Sequence, residues 1–241
     1  MLTAVGDLFA EKFGATPPSV VALHGWARTG ADFAPILAGL DAVALHLPGF
    51  GPTPEPGTAW GSEEYAEAVA RAIEPFAPVT IVAHSFGGRV AVRLAARRPE
   101  LVRALVLTGV PLLRLRPAPK PRLSFRLVRW AAGRRILPQS VLEAQRQKHG
   151  SPDYRAARGV MRDVLVRLLG EDYRDDLAAI TAPVSMVWGE LDDQAPADAG
   201  EAAAALVPGA TFRLVPGAGH LMTGALGEAV REELLAVEAR A

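Results

Sequence analysis

Residues 79–88 read Val79-Thr-Ile-Val-Ala-His-Ser-Phe-Gly-Gly88. An apolar, β-branched run ends at Ala83, Ser85 follows two residues later, and helical spacing then runs from Phe86 to Arg97, ahead of Pro99. A serine on a sharp strand-to-helix turn needs small residues two before and two after it, because larger side chains there would meet neighbouring backbone. Ala83 and Gly87 meet that need. A bare small-x-Ser-x-Gly match says little, whereas its position between an apolar strand and a helix marks Ser85 as the candidate nucleophile of a nucleophile elbow.

The same alternation continues on both sides. Short apolar runs at Ser19–Leu23, Val43–Leu47, Val79–Ala83, Ala104–Thr108, Val184–Trp188 and Thr211–Val215 read as strands. Each is too continuously apolar for a half-solvated antiparallel strand, so the expectation is α/β: a doubly wound, mostly parallel sheet with helices on both faces. Helices are expected at Ala31–Leu40, Glu63–Phe76 with Ser62 as N-cap, Phe86–Arg97, Ala197–Leu206 and Gly227–Arg240. About seventy residues separate the fourth and fifth of these strands, far more than an ordinary connection. Residues 111–182 are therefore expected to form a helical cap (lid) inserted into a core made of residues 1–110 and 183–241. A proline-rich lead-in, Pro111–Pro121, would precede cap helices at Leu123–Leu137, Ser140–His149, Tyr154–Leu169 and Tyr173–Ile180.

An activated serine needs a base, and the base needs an orienting acid, in the chain order serine, acid, histidine for this kind of turn. Val187-Trp-Gly-Glu-Leu-Asp-Asp193 and Pro216-Gly-Ala-Gly-His220 each follow a strand and so lie at the carboxyl end of the sheet, where open α/β folds build sites. Of the five histidines, His220 is the expected base. His24 shapes a loop by hydrogen bonding, His84 points away from its neighbour Ser85, and His46 and His149 are structural or surface residues. Asp192 is the expected acid, with Glu190 and Asp193 capping the loop or solvated. Two backbone N–H groups are expected to hold an oxyanion: that of Phe86, after the nucleophile, and that of Trp26 in Leu23-His-Gly-Trp26. The Trp26 and Phe86 side chains are also candidate substrate contacts, although Trp26 reads equally well as a core aromatic.

Composition narrows the alternatives. Across 241 residues, half are hydrophobic, 22% are charged, and 43 are glycine or proline, which excludes a disordered or collagen-like chain. The absence of cysteine removes disulfides, thiolate nucleophiles and Cys-based metal sites. No basic-then-apolar leader is visible and no apolar run is long enough to span a bilayer, so a cytoplasmic protein without stable membrane insertion is expected. The zero net charge argues against nucleic acid as a partner. That zero is a cancellation: residues 114–176 hold 15 basic and 7 acidic residues, the remainder 11 and 19. A cationic cap drawn to an anionic core is expected. Between Arg114 and Arg135 eight basic residues and no acidic one are interleaved with apolar ones, which reads either as a solvated arginine face or as a segment that steers anionic substrates or touches a membrane surface.

Taken together, these motifs resemble the α/β-hydrolase superfamily, from about Val20 to the C-terminus. His24-Gly-Trp26 is similar to its oxyanion-loop motif, Leu47-Pro-Gly-Phe-Gly51 to the turn after the next strand, Ser85 to its elbow, Trp188-Gly-Glu-Leu-Asp192 to its acid loop, and Gly217-Ala-Gly-His220 to its histidine loop. The chain departs from the pattern at Ala83, where glycine is common, and at His46, where aspartate is common. Its leading hairpin looks shortened or degraded. A serine at position 85, not an aspartate, speaks against the dehalogenases and epoxide hydrolases of the superfamily. The nearest resemblance is to small capped serine carboxylesterases, including pimeloyl-ester esterases, and to carbon–carbon bond hydrolases. It implies hydrolysis of a small-molecule ester by Ser85, Asp192 and His220 through an acyl-enzyme, without a metal or organic cofactor. A carbon–carbon hydrolase or cofactor-free lyase or perhydrolase would use the same scaffold, and a binding or signalling protein could retain an idle triad.

Overall fold

The computed structural model describes residues 1–115, 130, 133–134, 136–138, 140–141 and 151–240. Its frame is an eight-stranded sheet of β1 (Leu2–Val5), β2 (Leu8–Phe13), β3 (Val20–Leu23), β4 (Ala42–His46), β5 (Val79–His84), β6 (Val102–Thr108), β7 (Val184–Gly189) and β8 (Thr211–Val215), in the order β1-β2-β4-β3-β5-β6-β7-β8. All six strands expected from the sequence form, within two residues of their expected ends, and they run parallel from β4 across to β8. The chain leaves β3 towards β4 and later returns to β3's other side with β5. The loops after β3 and β5 therefore diverge at a topological switch point, where this kind of sheet opens a crevice.

Two features of the sheet differ from the sequence expectation. The leading hairpin is present: β1 and β2 pair antiparallel around the two-residue turn Gly6-Asp7, and β2 joins the sheet antiparallel to β4. It was obscured because both strands bury only part of their side chains, so Asp7, Glu11 and Lys12 interrupt the apolar pattern. At the opposite edge β8 is not apolar on both faces. Thr211, Arg213 and Leu214 are exposed on what is the last strand of the sheet.

Side chains alternate along the central strands, and each face builds its own core. Val21, Leu23, Ile81, Ala83 and Leu105 pack with α2 (Ser62–Ile73) and α3 (Phe86–Arg97), whereas Val20, Ala22, Val82, Ala104 and Val106 pack with α1 (Ala34–Leu37) and α8 (Gly224–Glu238). α1 is shorter than the expected Ala31–Leu40, and Gly30–Phe33 forms a 3-10 turn instead. Pro35 at the start of α1 has no N–H to extend a helix through that turn. Helix α7 (Ala197–Ala204) lies between β7 and β8 in the chain.

Within residues 151–180 three helices form: α4 (Pro152–Ala156), α5 (Gly159–Leu168) and α6 (Arg174–Ala179). The single expected helix Tyr154–Leu169 is broken where Ala157 and Arg158 adopt extended backbone. Most of the expected helices Leu123–Leu137 and Ser140–His149, and most of the basic stretch Arg114–Arg135, lie outside the described residues. Among the described residues no helix is long and apolar enough to cross a membrane.

Segment 159–179 is tied to α3, the helix that leaves Ser85. The Arg89 guanidinium donates to the Leu168 carbonyl at 2.8 Å, and Arg93 donates to Asp176 and to the Ser62 hydroxyl while its guanidinium lies 4.9 Å from the Tyr173 ring. Ser62 is consequently not the N-cap of α2. Gly61 holds that position and donates its N–H to Glu64, the Ser62 N–H goes to Glu171, and the Ser62 hydroxyl is engaged by Arg93. The Arg93–Asp176 pair is largely buried, and removing one member of such a pair strands the other. Asp176→Ala is therefore expected to lower stability by about 3 kcal/mol, read as the urea midpoint at pH 7. Loss of under ~0.5 kcal/mol, the range of a surface substitution, contradicts this.

Candidate active site

Strand β5 ends at His84 and α3 begins at Phe86, which leaves Ser85 alone to turn the chain. Its backbone sits at φ 50°, ψ −113°. Among the described residues only Ala27 shares a positive φ without being glycine, and it lies on the facing loop after β3. Such conformations cost about 1–3 kcal/mol and persist where the surroundings enforce them. Here the Ser85 N–H donates to the Thr108 carbonyl and the Gly87 N–H to the His24 carbonyl, both at 3.0 Å. A Cβ on Gly87 would stand 2.3 Å from the Leu23 carbonyl oxygen, backbone that cannot yield, which is the physical content of the small-residue requirement. Ser85 keeps partial exposure while Ala83, His84 and Phe86 are buried.

The candidate acid and base come from the loops after β7 and β8. His220 Nδ1 lies 2.8 Å from Asp192 Oδ2 and 3.0 Å from Oδ1, so the Nδ1 proton is donated to the carboxylate and Nε2 is left with its lone pair. Both residues are buried. Burial by itself raises the Asp192 pKa. The hydrogen bond from His220 and those from the Ala195 and Gln194 amides outweigh it and hold the carboxyl below its ordinary value. The Trp188 indole donates to the Ala195 carbonyl and so fixes the same loop from β7. Glu190 accepts the Gly217 N–H, the loop-capping role expected of it, and Asp193 is exposed.

Sequence reasoning passed over Gly109. It follows β6 with φ +59°, and a Cβ there would lie 3.0 Å from His220 Cε1 and 3.3 Å from Asp192 Oδ2. The available signal was a glycine immediately after a strand, at the carboxyl edge that already carried the other candidates. His84 also makes a contact that the sequence did not suggest. It does not merely point away from Ser85: its ring lies 4.7 Å from that of His220 and its Nε2 is 3.0 Å from the His220 carbonyl oxygen. A Cβ on Gly25 would meet His84 Nδ1 at 2.9 Å and Ser85 Cβ at 3.5 Å. Ser85 and His220 are thus neighbours of one side chain.

The loop after β3 is organised by His24, as expected. The Leu47 N–H donates to His24 Nε2 at 3.0 Å, so the ring proton is on Nδ1 and is donated to the Gly25 carbonyl at 2.8 Å. His46 is buried and not at the surface. The Gly30 N–H reaches its Nδ1 at 3.3 Å, so it supports the same loop. His149 lies outside the described residues. Trp26 is half-buried and makes edge-on contacts with Phe50 and Phe86, at 5.0 and 5.6 Å between ring centroids. Neither the Trp26 nor the Phe86 backbone N–H donates to a protein acceptor among the described residues. Two clefts border the acid and base loops: one of about 610 Å3 lined by Arg89, Leu112, Arg114 and Gln194 among others, one of about 570 Å3 beside His220, Leu191 and Leu221. Among the described residues no group of three His, Asp or Glu side chains is placed to hold a metal.

Burial pushes His24 and His84 down from 6.5 to about 4 each. Between these values the unfolded chain binds protons that the folded chain refuses, so stability falls as pH drops from 6.5 towards 4, by on the order of 3 kcal/mol per ring. Asp192, held low, adds a loss in the same direction in more acid solution. The urea midpoint is expected to be flat above pH 7 and to decline steadily below 6.5. A midpoint constant from pH 7 to 4.5 contradicts the neutral, buried state of these rings.

Comparison with known proteins places this geometry in a family. Residues 20–233 match the alpha/beta hydrolase family. The chain is 29% identical over 213 residues to the pimeloyl-[acyl-carrier protein] methyl ester esterase of Aeromonas hydrophila subsp. hydrophila, covering 77% of this chain and 81% of that one. It is 30% identical over 227 residues to the protein of the same name in Xanthomonas campestris pv. campestris, covering 84% and 88%. The crystal structure of the enol-lactonase from Burkholderia xenovorans LB400 superposes with a TM-score of 0.73 over 99% of this chain and 100% of that one, at 16% identity, a likeness of fold alone. The match spans the whole sheet from β3 onward together with the loops after β3, β5, β7 and β8, and the chain belongs to the alpha/beta hydrolase family.

Proposed function

We propose that the protein is a serine carboxylesterase that works through an acyl-enzyme. The observation that carries this reading is the Asp192-bound His220 in contact with His84, the residue that precedes a serine held on a strained strand-to-helix turn. His220 Nε2 takes the Ser85 hydroxyl proton as Oγ attacks the ester carbonyl. The Trp26 and Phe86 N–H groups, free of protein acceptors among the described residues, receive the developing oxyanion. Asp192, kept ionised, holds the imidazole in its reactive tautomer and stabilises its cation. The imidazolium then protonates the departing alcohol. Water, activated by the same Nε2, displaces the acyl group from Ser85, and the proton returns to Oγ. One ester and one water give one acid and one alcohol.

Similarity over most of the chain to esterases named for a methyl ester supports a carboxylic ester as the substrate class. Residues 111–182 act as the cap in this reading. Support comes from the contacts of Arg89 and Arg93, which seat residues 159–179 on the helix that begins beside Ser85. The Trp26, Phe50 and Phe86 rings then form an apolar wall for the substrate next to the nucleophile.

On short p-nitrophenyl esters, Ser85→Ala is expected to lower kcat by at least about a thousandfold, while the urea midpoint does not fall. A Ser85→Ala protein that retains a tenth of the wild-type rate overturns the assignment.

A further inference from the structure

His220 stands on a loop with little to hold it. Pro216, Gly217 and Gly219 are exposed, and a Cβ on Gly217 or Gly219 would meet nothing within 4 Å. A general base nevertheless has to stay within about 0.5 Å of its productive position. Asp192 secures the far nitrogen of the ring, while Glu190 and Leu191 secure the loop earlier in the chain, at Gly217 and Ala218. At the residue itself a further polar contact, among the described residues, comes from His84. We propose that His84 is a positioning residue for His220: its Nε2–H is donated to the His220 carbonyl, and its ring packs against the imidazole, so the base is held by main chain and ring as well as by Asp192. This rests on the reading of His220 as the base.

The chemistry of His84 suits the task. Only Nε2–H can serve a carbonyl acceptor, so that nitrogen carries the proton. Nδ1 then carries the lone pair, buried and without a protein partner among the described residues, next to Gly25. Burial and the neighbouring His220 keep the ring neutral at pH 7, against the weaker opposite pull of Asp192 and Asp32. Neutrality matters because a cation here would oppose the imidazolium that His220 becomes. The rigid five-membered ring also spans from the end of β5 to the loop after β8. The residue that precedes the nucleophile thereby ties its turn to the base, 136 positions later.

The test is a series at one position. His84→Leu removes donor and ring, and His84→Phe keeps a ring without a donor. His84→Gln places an N–H donor at the same number of bonds from Cβ, and His84→Asn carries the same amide one carbon short. With p-nitrophenyl esters, Leu, Phe and Asn are expected to lower kcat tenfold or more with KM within twofold, and Gln to recover kcat to within threefold of wild type. Leu and Phe proteins with wild-type kcat, or a Gln protein as slow as Asn, overturn the proposal. If Leu or Phe fails to fold, the Gln and Asn pair decides it in the same terms. The low-field proton resonance of His220 Nδ1–H gives a readout independent of turnover: it is expected to persist in Gln and to be lost to exchange in Asn, and its unchanged persistence in Asn overturns the proposal. Ser85→Ala, assayed alongside, separates the two ideas. Retained activity there removes the serine mechanism, whereas retained activity in the His84 variants alone removes only the role of His84.

Discussion

The peptide at Ser85 cannot relax because both strands beside it hold it. One neighbour, β6, accepts its N–H at Thr108, and the first residue after the other, β3, accepts the Gly87 N–H at His24. Each bond contributes about 1 kcal/mol, comparable to the ~1–3 kcal/mol of an unfavourable backbone conformation, so the turn is maintained by the sheet and not by the serine. The rest of the site inherits its coordinates from that arrangement. The loop after β3 can lie against the elbow only because Gly87 has no side chain. The loop after β6 brings Gly109 beside His220 and Asp192, and His84, one residue before the turn, reaches His220.

Electrostatics enter more selectively than total charge suggests. Residues 114–176 carry a net charge of +8 and the remainder −8, yet the buried link between them runs the other way: Arg93 of α3 pairs with Asp176, beyond the basic stretch at the edge of that range. The pair that follows the expected sign, Arg167 with Glu64, is solvent-exposed and worth at most about 1 kcal/mol. Desolvation, geometry and the Tyr173 ring make the buried link specific. The dyad follows the same logic. Asp192 remains ionised in a buried place because three hydrogen bonds replace its water.

What the sequence made legible were features governed by local sterics. An apolar run followed by Ala83, Ser85 and Gly87 admits few backbone paths, so strand, turn and helix were readable to within a residue. Asp192 and His220 could be found because each follows a strand and so falls at one edge of the sheet. Features that depend on distant partners were not readable. Ser62 looks like a helix cap until Arg93 and Glu171 arrive from elsewhere in the chain. The β1–β2 hairpin looks shortened or degraded until β4 covers one edge. β8 looks buried until it proves to be the last strand. Gly109 and the contact of His84 with His220 were overlooked because they depend on what stands opposite them, and sequence order does not show that.

The central claim is that the constrained turn presents an activated serine. Its most direct test is to treat the folded protein with an alkyl fluorophosphonate, digest it and locate the adduct by peptide mass spectrometry. A single adduct on Ser85, abolished by prior acid unfolding, is the predicted result. An adduct on another residue, or none under conditions that label a reference serine esterase completely, would contradict it.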